Sequence, residues 1–198
     1  MSKSFDSETY NQVSKEYGTT SEYFRPEEGE NKIRVLSGYE PLAKHWIELN
    51  GKRTTRICFG KDKGCSYHKE SDKLPRVQFL LWILDRKDQT IKIYEAGWTF
   101  IKYLTDIKND EDFSYQSLPD YDIKIRKTGK GLETEYTFTP SPRKPLTEEE
   151  MNAYMEKGDI TEIVERMKSN AMEKSGGSEG IQKHSIEGSG INIEDVSF

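Results

Sequence analysis

Apolar and polar positions alternate along most of the middle of the chain, and this pattern predicts strands. Asn31 to Ser37 (NKIRVLS) sets Ile33 and Val35 on one side and Lys32 and Arg34 on the other, a half-buried strand with a basic outer face. Ala43 to Leu49 and Arg53 to Phe59 flank Asn50-Gly51, a strong hairpin turn signal. Val77 to Asp85 (VQFLLWILD) is the most apolar run. Val77, Phe79, Leu81 and Ile83 share one of its faces and Leu80, Trp82 and Leu84 the other, as in a central strand. Thr90 to Glu95 returns after a turn at 86–89, with Ile91 and Ile93 inward and Lys92 and Tyr94 outward. From Gly97 to Ile107 the period changes. Trp98, Ile101 and Leu104 at i, i+3 and i+6 predict an amphipathic helix.

Tyr121 to Lys127 alternates again, with Tyr121, Ile123 and Ile125 on one face and Lys124 and Arg126 on the other. Thr128-Gly129-Lys130-Gly131 turns, and Leu132 to Thr139 returns as a strand. Pro140, Pro142 and Pro145 are expected to end the domain. Thr147 and Glu150 form a capping box for a helix reaching Met155, and a second helix spans about Ile160 to Met172. The order strand–strand–strand–helix–strand–strand predicts a mainly β protein, an OB-type barrel carrying a pinned hairpin and loop insertion. The expected organisation is an N-terminal arm (1–29), a barrel domain (30–145) with a subdomain at 43–73, a helical extension (146–172), and a flexible Gly/Ser linker with a disordered acidic tail (173–198).

Charge alters this picture. The net charge is −5 over 198 residues, but residues 1–29 carry −3, residues 30–145 carry +5 and residues 146–198 carry −7. A basic middle between acidic ends can attract phosphate. No run approaches 18 apolar residues, so no membrane span is expected. The opening MSKSFDSETY has no apolar signal-peptide region, which predicts a cytoplasmic protein. In that compartment the two cysteines favour metal over a disulfide.

The candidate chemistry gathers in HWIELNGKRTTRICFGKDKGCSYH, residues 45–68. His45, Cys58, Cys65 and His68 supply the four N and S ligands that a closed structural zinc site requires. The plainer alternative is two buried cysteines and two surface histidines. Single-strand binders combine cations with aromatic platforms. Lys32, Arg34, Lys52, Arg53, Arg56, Lys92, Lys124 and Arg126 are the outward cations predicted to contact DNA, and Trp46, Trp82, Tyr94 and Trp98 the aromatics. Against these stand a solvated β face and ordinary core packing, with Tyr94 favoured as the stacking residue. The tail INIEDVSF offers Glu194, Asp195 and Phe198 to a partner pocket. Asp110, Glu111, Asp112, Asp120 and Asp122 form an acidic cluster better read as a solvated loop than as a two-metal nuclease site, and no enzyme is predicted.

The segments EYFRPEEGENKIRVLSGYEPLAKHWI and YDIKIRKTGKGLETEYTFTPSPRKPLTEEE resemble bacteriophage single-stranded DNA-binding proteins, over about Tyr23 to Glu150. The resemblance implies an OB-fold core that serves replication and recombination. The spacing His45-x12-Cys58 and the closing Cys65-x2-His68 are similar to the T-even phage proteins, which hold zinc with one His and three Cys. Here His68 stands where that family has a third Cys, and the central spacing is shorter. The T-even proteins also carry a basic N-terminal arm for cooperative binding, whereas the first 29 residues here are acidic. The resemblance further implies a tail that recruits replication partners. The function expected is sequence-independent coating of single-stranded DNA in phage replication, recombination and repair, in the cytoplasm of the infected host. The alternative is a zinc-containing interaction adaptor for phage transcription or recombination.

Overall fold

A computed structural model describes residues 22–49, 51–70 and 74–176. Its strands are β1 (Tyr23–Phe24), β2 (Gly29–Val35), β3 (Glu40–Leu49), β4 (Lys52–Ile57), β5 (Arg76–Asp85), β6 (Thr90–Ala96), β7 (Tyr121–Thr128) and β8 (Glu135–Arg143). Its helices are α1 (Tyr67–Glu70), α2 (Trp98–Ile107), α3 (Glu148–Met155) and α4 (Ile160–Gly176). All eight strands belong to one sheet, with the path β1-β6-β5-β2-β7-β8 and the β3–β4 hairpin joined to β5. The protein is mainly β, as expected. Among the described residues the sheet is not closed, because β8 pairs with β7 alone.

β5 is the hub because it is apolar on both faces. Its odd positions Phe79, Leu81 and Ile83 join Ile33, Ile123 and Ile125 in one core, capped by Phe100, Ile101 and Leu104 of α2. Its even positions Leu80, Trp82 and Leu84 join Leu42 and Ile93 in a second core, covered by Ile160 and Val164 of α4. Leu42 and Leu80 are wholly buried there; each such side chain contributes roughly 1.5–3 kcal/mol. β2 and β3 pair with opposite halves of β5, so residues 29–49 run along it with a break at 36–39. The break is stitched by Leu36 N–H donating to Trp82 O at 2.9 Å and by Trp82 N–H donating to Ser37 Oγ at 2.8 Å.

Several expected bounds change: β2 lies at Gly29–Val35 rather than 31–37, β3 starts at Glu40 rather than Ala43, and β4 ends at Ile57 rather than Phe59. β8 begins three residues later than predicted, after a 3-10 turn at Gly131–Glu133, and runs through Pro140 and Pro142 to Arg143. An edge strand tolerates prolines that a central strand would reject, and the register slips between Tyr121 and Ile123 where they sit. The second C-terminal helix continues beyond Met172 to Gly176. The capping box at Thr147 and Glu150 is present.

The seam left by the unpaired edge of β8 is bridged by rings instead of hydrogen bonds. Phe24 of β1, Tyr94 of β6, Phe100 of α2 and Phe138 of β8 form an edge-to-face row, with centroids 5.3, 5.3 and 5.2 Å apart. No described helix is long and apolar enough to cross a membrane.

Candidate metal centre and nucleic-acid interface

The hairpin forms as its sequence predicts. Leu49 pairs with Lys52, and Gly51 takes φ +72°, the left-handed conformation such a turn needs; Asn50 lies outside the described residues. Beyond β4 the chain folds back on itself. Cys58 N–H donates to Ala43 O at 2.8 Å, Cys65 N–H to Gly60 O at 3.1 Å and His68 N–H to Cys65 O at 3.4 Å. Gly60 has φ +109°, and a Cβ there would lie 2.6 Å from the Asp62 carboxylate, so this turn requires glycine.

These contacts bring four distant residues together. The ligand atoms of His45, Cys58, Cys65 and His68 all lie within 4.8 Å of one another. Cys58 Sγ is 3.3 Å from His68 Nε2, and Cys65 Sγ is 3.7 Å from His45 Nε2. Ligand atoms around a tetrahedral zinc stand roughly 3.3–3.8 Å apart, given bonds of about 2.3 Å to sulfur and about 2.0–2.1 Å to nitrogen. The four residues can therefore hold a metal ion, and the alternative of two surface histidines does not apply: His45 is wholly buried. Burial pushes the Cys58 thiol up, and the Gly60 N–H, hydrogen-bonded to it, works the other way. That donor to sulfur was missed in the sequence; its trace is the Gly two residues after Cys58. Ala171 of α4 and Tyr67 pack against the two cysteines and Phe59.

The cations and aromatics expected at a DNA surface divide into two groups. Arg34, Trp82 and Tyr94 are corrections, because all three are buried. Arg34 donates from Nε to Asp122 Oδ1 at 2.9 Å and from Nη2 to Lys144 O at 2.6 Å. Trp82 lies in the second core and donates its indole N–H to Gly158 O at 2.9 Å. Tyr94 faces the first core, and its neighbour Ile93 faces the second. Lys92, also expected outward, is largely covered and bonded to Asp85 and Asp88. Lys32 pairs with Asp122 at 3.3 Å and Lys124 with Glu30 at 3.4 Å. Among the described residues Lys52, Arg53, Arg56 and Arg126 form no ion pair and are exposed. Trp46 and Trp98 are 55% and 65% exposed; Trp98 leaves the buried stripe of α2 and leans edge-on against Phe79 at 4.6 Å. Glu194, Asp195 and Phe198 lie outside the described residues. The acidic cluster is dispersed: Asp110 accepts backbone N–H bonds within its own loop, Asp120 pairs with Arg143, and Asp122 is buried among arginines.

A cleft of about 670 Å³ opens at the seam, between β8 on one side and β1 and β6 on the other. Its accessible rings are Tyr23, Tyr136 and Phe138, and the buried Phe24, Tyr94 and Phe100 back them from the core. Arg25, Lys44, Arg76 and Lys127 stand around it. Arg25 and Arg76 are exposed and form no ion pair among the described residues. Lys44 is held by Glu95 at 2.7 Å, and Lys127 Nζ donates to Pro26 O at 3.1 Å. None of these four cations was singled out from the sequence, since they come from four separate segments.

No family model matches the chain, and no solved structure matches it. It is 26% identical over 138 residues to a protein of Escherichia phage T5 described as a probable ssDNA-binding protein, covering 58% of this chain and 53% of that protein. The chain thus spans about half the length of the curated relative it matches.

Proposed function

We propose that this protein binds single-stranded DNA in the seam cleft, without base sequence preference and without chemistry on the strand. The observation that carries the reading is the cleft itself, in which the accessible rings Tyr23, Tyr136 and Phe138 stand among four cations, the combination that single strands require. The phage T5 relative supports the same class of ligand. The strand order supports an OB-like reading: β2 with β3, then β5, β6, α2, β7 and β8, with β7 returning to pair with β2. In this reading the chain coats and protects strands exposed during phage replication, recombination and repair in the infected cell. Glu194, Asp195 and Phe198 contact other replication proteins.

The metal in this reading is zinc in a structural role. Two thiolates and two imidazoles suit zinc, and four protein ligands complete its tetrahedron with no position left open. His45, Cys58, Cys65 and His68 would hold it, and its contribution is to fix the shape of the hairpin beside the cleft. Titration of labelled oligo-dT and of duplex of equal length, at two salt concentrations, tests the function. Tighter oligo-dT binding that weakens with salt is expected; equal or tighter duplex binding would refute the reading.

A further inference from the structure

We infer that a second base-binding site lies outside the cleft, on Trp46, and that the bound strand crosses from the seam onto the metal-pinned hairpin. The inference rests on the single-strand reading above and extends its track. Opposed residues of antiparallel strands share a face. The pairs Leu80–Glu95, Leu42–Gln78, Lys44–Arg76, Lys44–Ile57, Trp46–Thr55 and Glu48–Arg53 therefore lie on one face across β6, β5, β3 and β4, on which Leu42 and Leu80 are buried in the second core and the positions beyond them are open. Its near part, Glu95, Gln78, Arg76, Lys44 and Thr55, already lines the cleft. Trp46 is the next position along β3 and sits directly opposite Thr55, just beyond the rim.

The indole is more than half exposed, although tryptophan carries the largest apolar surface of any residue. No core covers it. Arg76 and Arg53 share its face and Lys52 follows at the turn; none of the three forms an ion pair among the described residues. Glu48, opposite Arg53, is the one acid on this part of the hairpin face. A flat aromatic surface between unpaired cations suits a base with phosphates on either side, and this charge complementarity selects a nucleic-acid strand as the occupant. The hairpin can present the indole firmly because His45, the preceding residue, points to the opposite face and is buried among the other three ligands.

Intrinsic fluorescence reads this site, since the chain has three tryptophans and Trp82 is buried. Full-length protein is titrated with oligo-dT as wild type, W46F, W46A and W98F, with melting curves confirming that each variant is folded. Quenching is expected in wild type and W98F and largely lost in W46F. Affinity of W46A is expected to fall about fivefold or more, as for loss of one stacked base, with W46F closer to wild type. If oligo-dT binds wild type and R76A weakens it, yet W46A binds as wild type does and W46F quenches fully, the Trp46 site is refuted and the cleft reading stands. If oligo-dT does not bind at all, both are refuted.

Discussion

Asp122 accepts hydrogen bonds from Arg34 and Arg86 and lies 3.3 Å from Lys32, so one buried carboxylate carries three cations. Arg86 also bonds Glu150, the capping-box residue of α3, which ties that helix to the sheet. Burial alone would raise the Asp122 carboxyl. The hydrogen bonds from Arg86 and the charges of Arg34 and Arg86 outweigh it and hold the group below its ordinary 3.8. A depressed folded value means that the stabilisation is fully present above pH 3.8 and is lost as pH falls through the folded value. Asp122→Asn leaves Arg34 buried with a neutral partner and is expected to cost about 3–5 kcal/mol at pH 7. Urea unfolding at pH 7 and pH 3 checks this. The variant's stability should fall less between pH 7 and pH 3 than that of wild type, and a cost under about 1 kcal/mol would show that the network is not structural. Arg34 also shows what alternation leaves open. Its neighbours Ile33 and Val35 were legible as core, but the covering residues Lys144 and Glu150 lie more than a hundred positions away, and no local period reveals them. Tyr94 and Trp82 were misread for the same reason, because both faces of β5 and β6 are covered at those positions.

At the scale of elements, the β3–β4 hairpin and α4 act together. Ile160 and Val164 are buried in the second core, Met167 packs beside it, and Ala171 packs against the cysteines. One stripe at helical spacing therefore runs from the core to the metal site. If the proposed zinc is bound there, removing it should loosen both ends of that contact and leave the β2–β7 ladder in place. Hydrogen exchange before and after chelation is expected to quicken tenfold or more, about 1.4 kcal/mol of local stability, in residues 43–57 and 167–176. Equal loss of protection at 121–128 would instead indicate that the metal supports the whole fold. Spacing and the Asn-Gly turn made the four ligands and the hairpin legible. The α4 stripe was legible as a helix but not as the support of the metal site, because its partners Cys58 and Phe59 are distant and give no periodic signal.

At the scale of the molecule, charge is sorted by partner. Many cations away from the cleft and hairpin are engaged by acids, among them Lys87, Lys92, Lys102 and Arg143. Arg25, Arg53, Arg56 and Arg76 are not, among the described residues. The overall charge of −5 thus misleads about the local field, which the charge count by segment anticipated and the fold concentrates. Arg76→Ala with Lys127→Ala should weaken oligo-dT binding and lower the slope of log affinity against log salt by about 1–2. The same pair of changes at Lys102 and Lys87 should leave the slope unchanged. The cleft was not legible in sequence because no single segment contains it; the tertiary seam between β8 and β6 creates it.

The alternation at His45 and Trp46 has a mechanical consequence. A strand is a ratchet with a step of one residue, and each step reverses which side a given residue serves. Removing one residue between Pro41 and Lys44 while the rest of β3 keeps its hold on β4 would leave composition, ligands and charge almost untouched. The two strands that β3 joins would then demand opposite registers from it, β5 at one end and β4 at the other. Length, as much as the identity of any side chain, is what lets this hairpin turn His45 to the four-residue cluster on one side and an indole to the other.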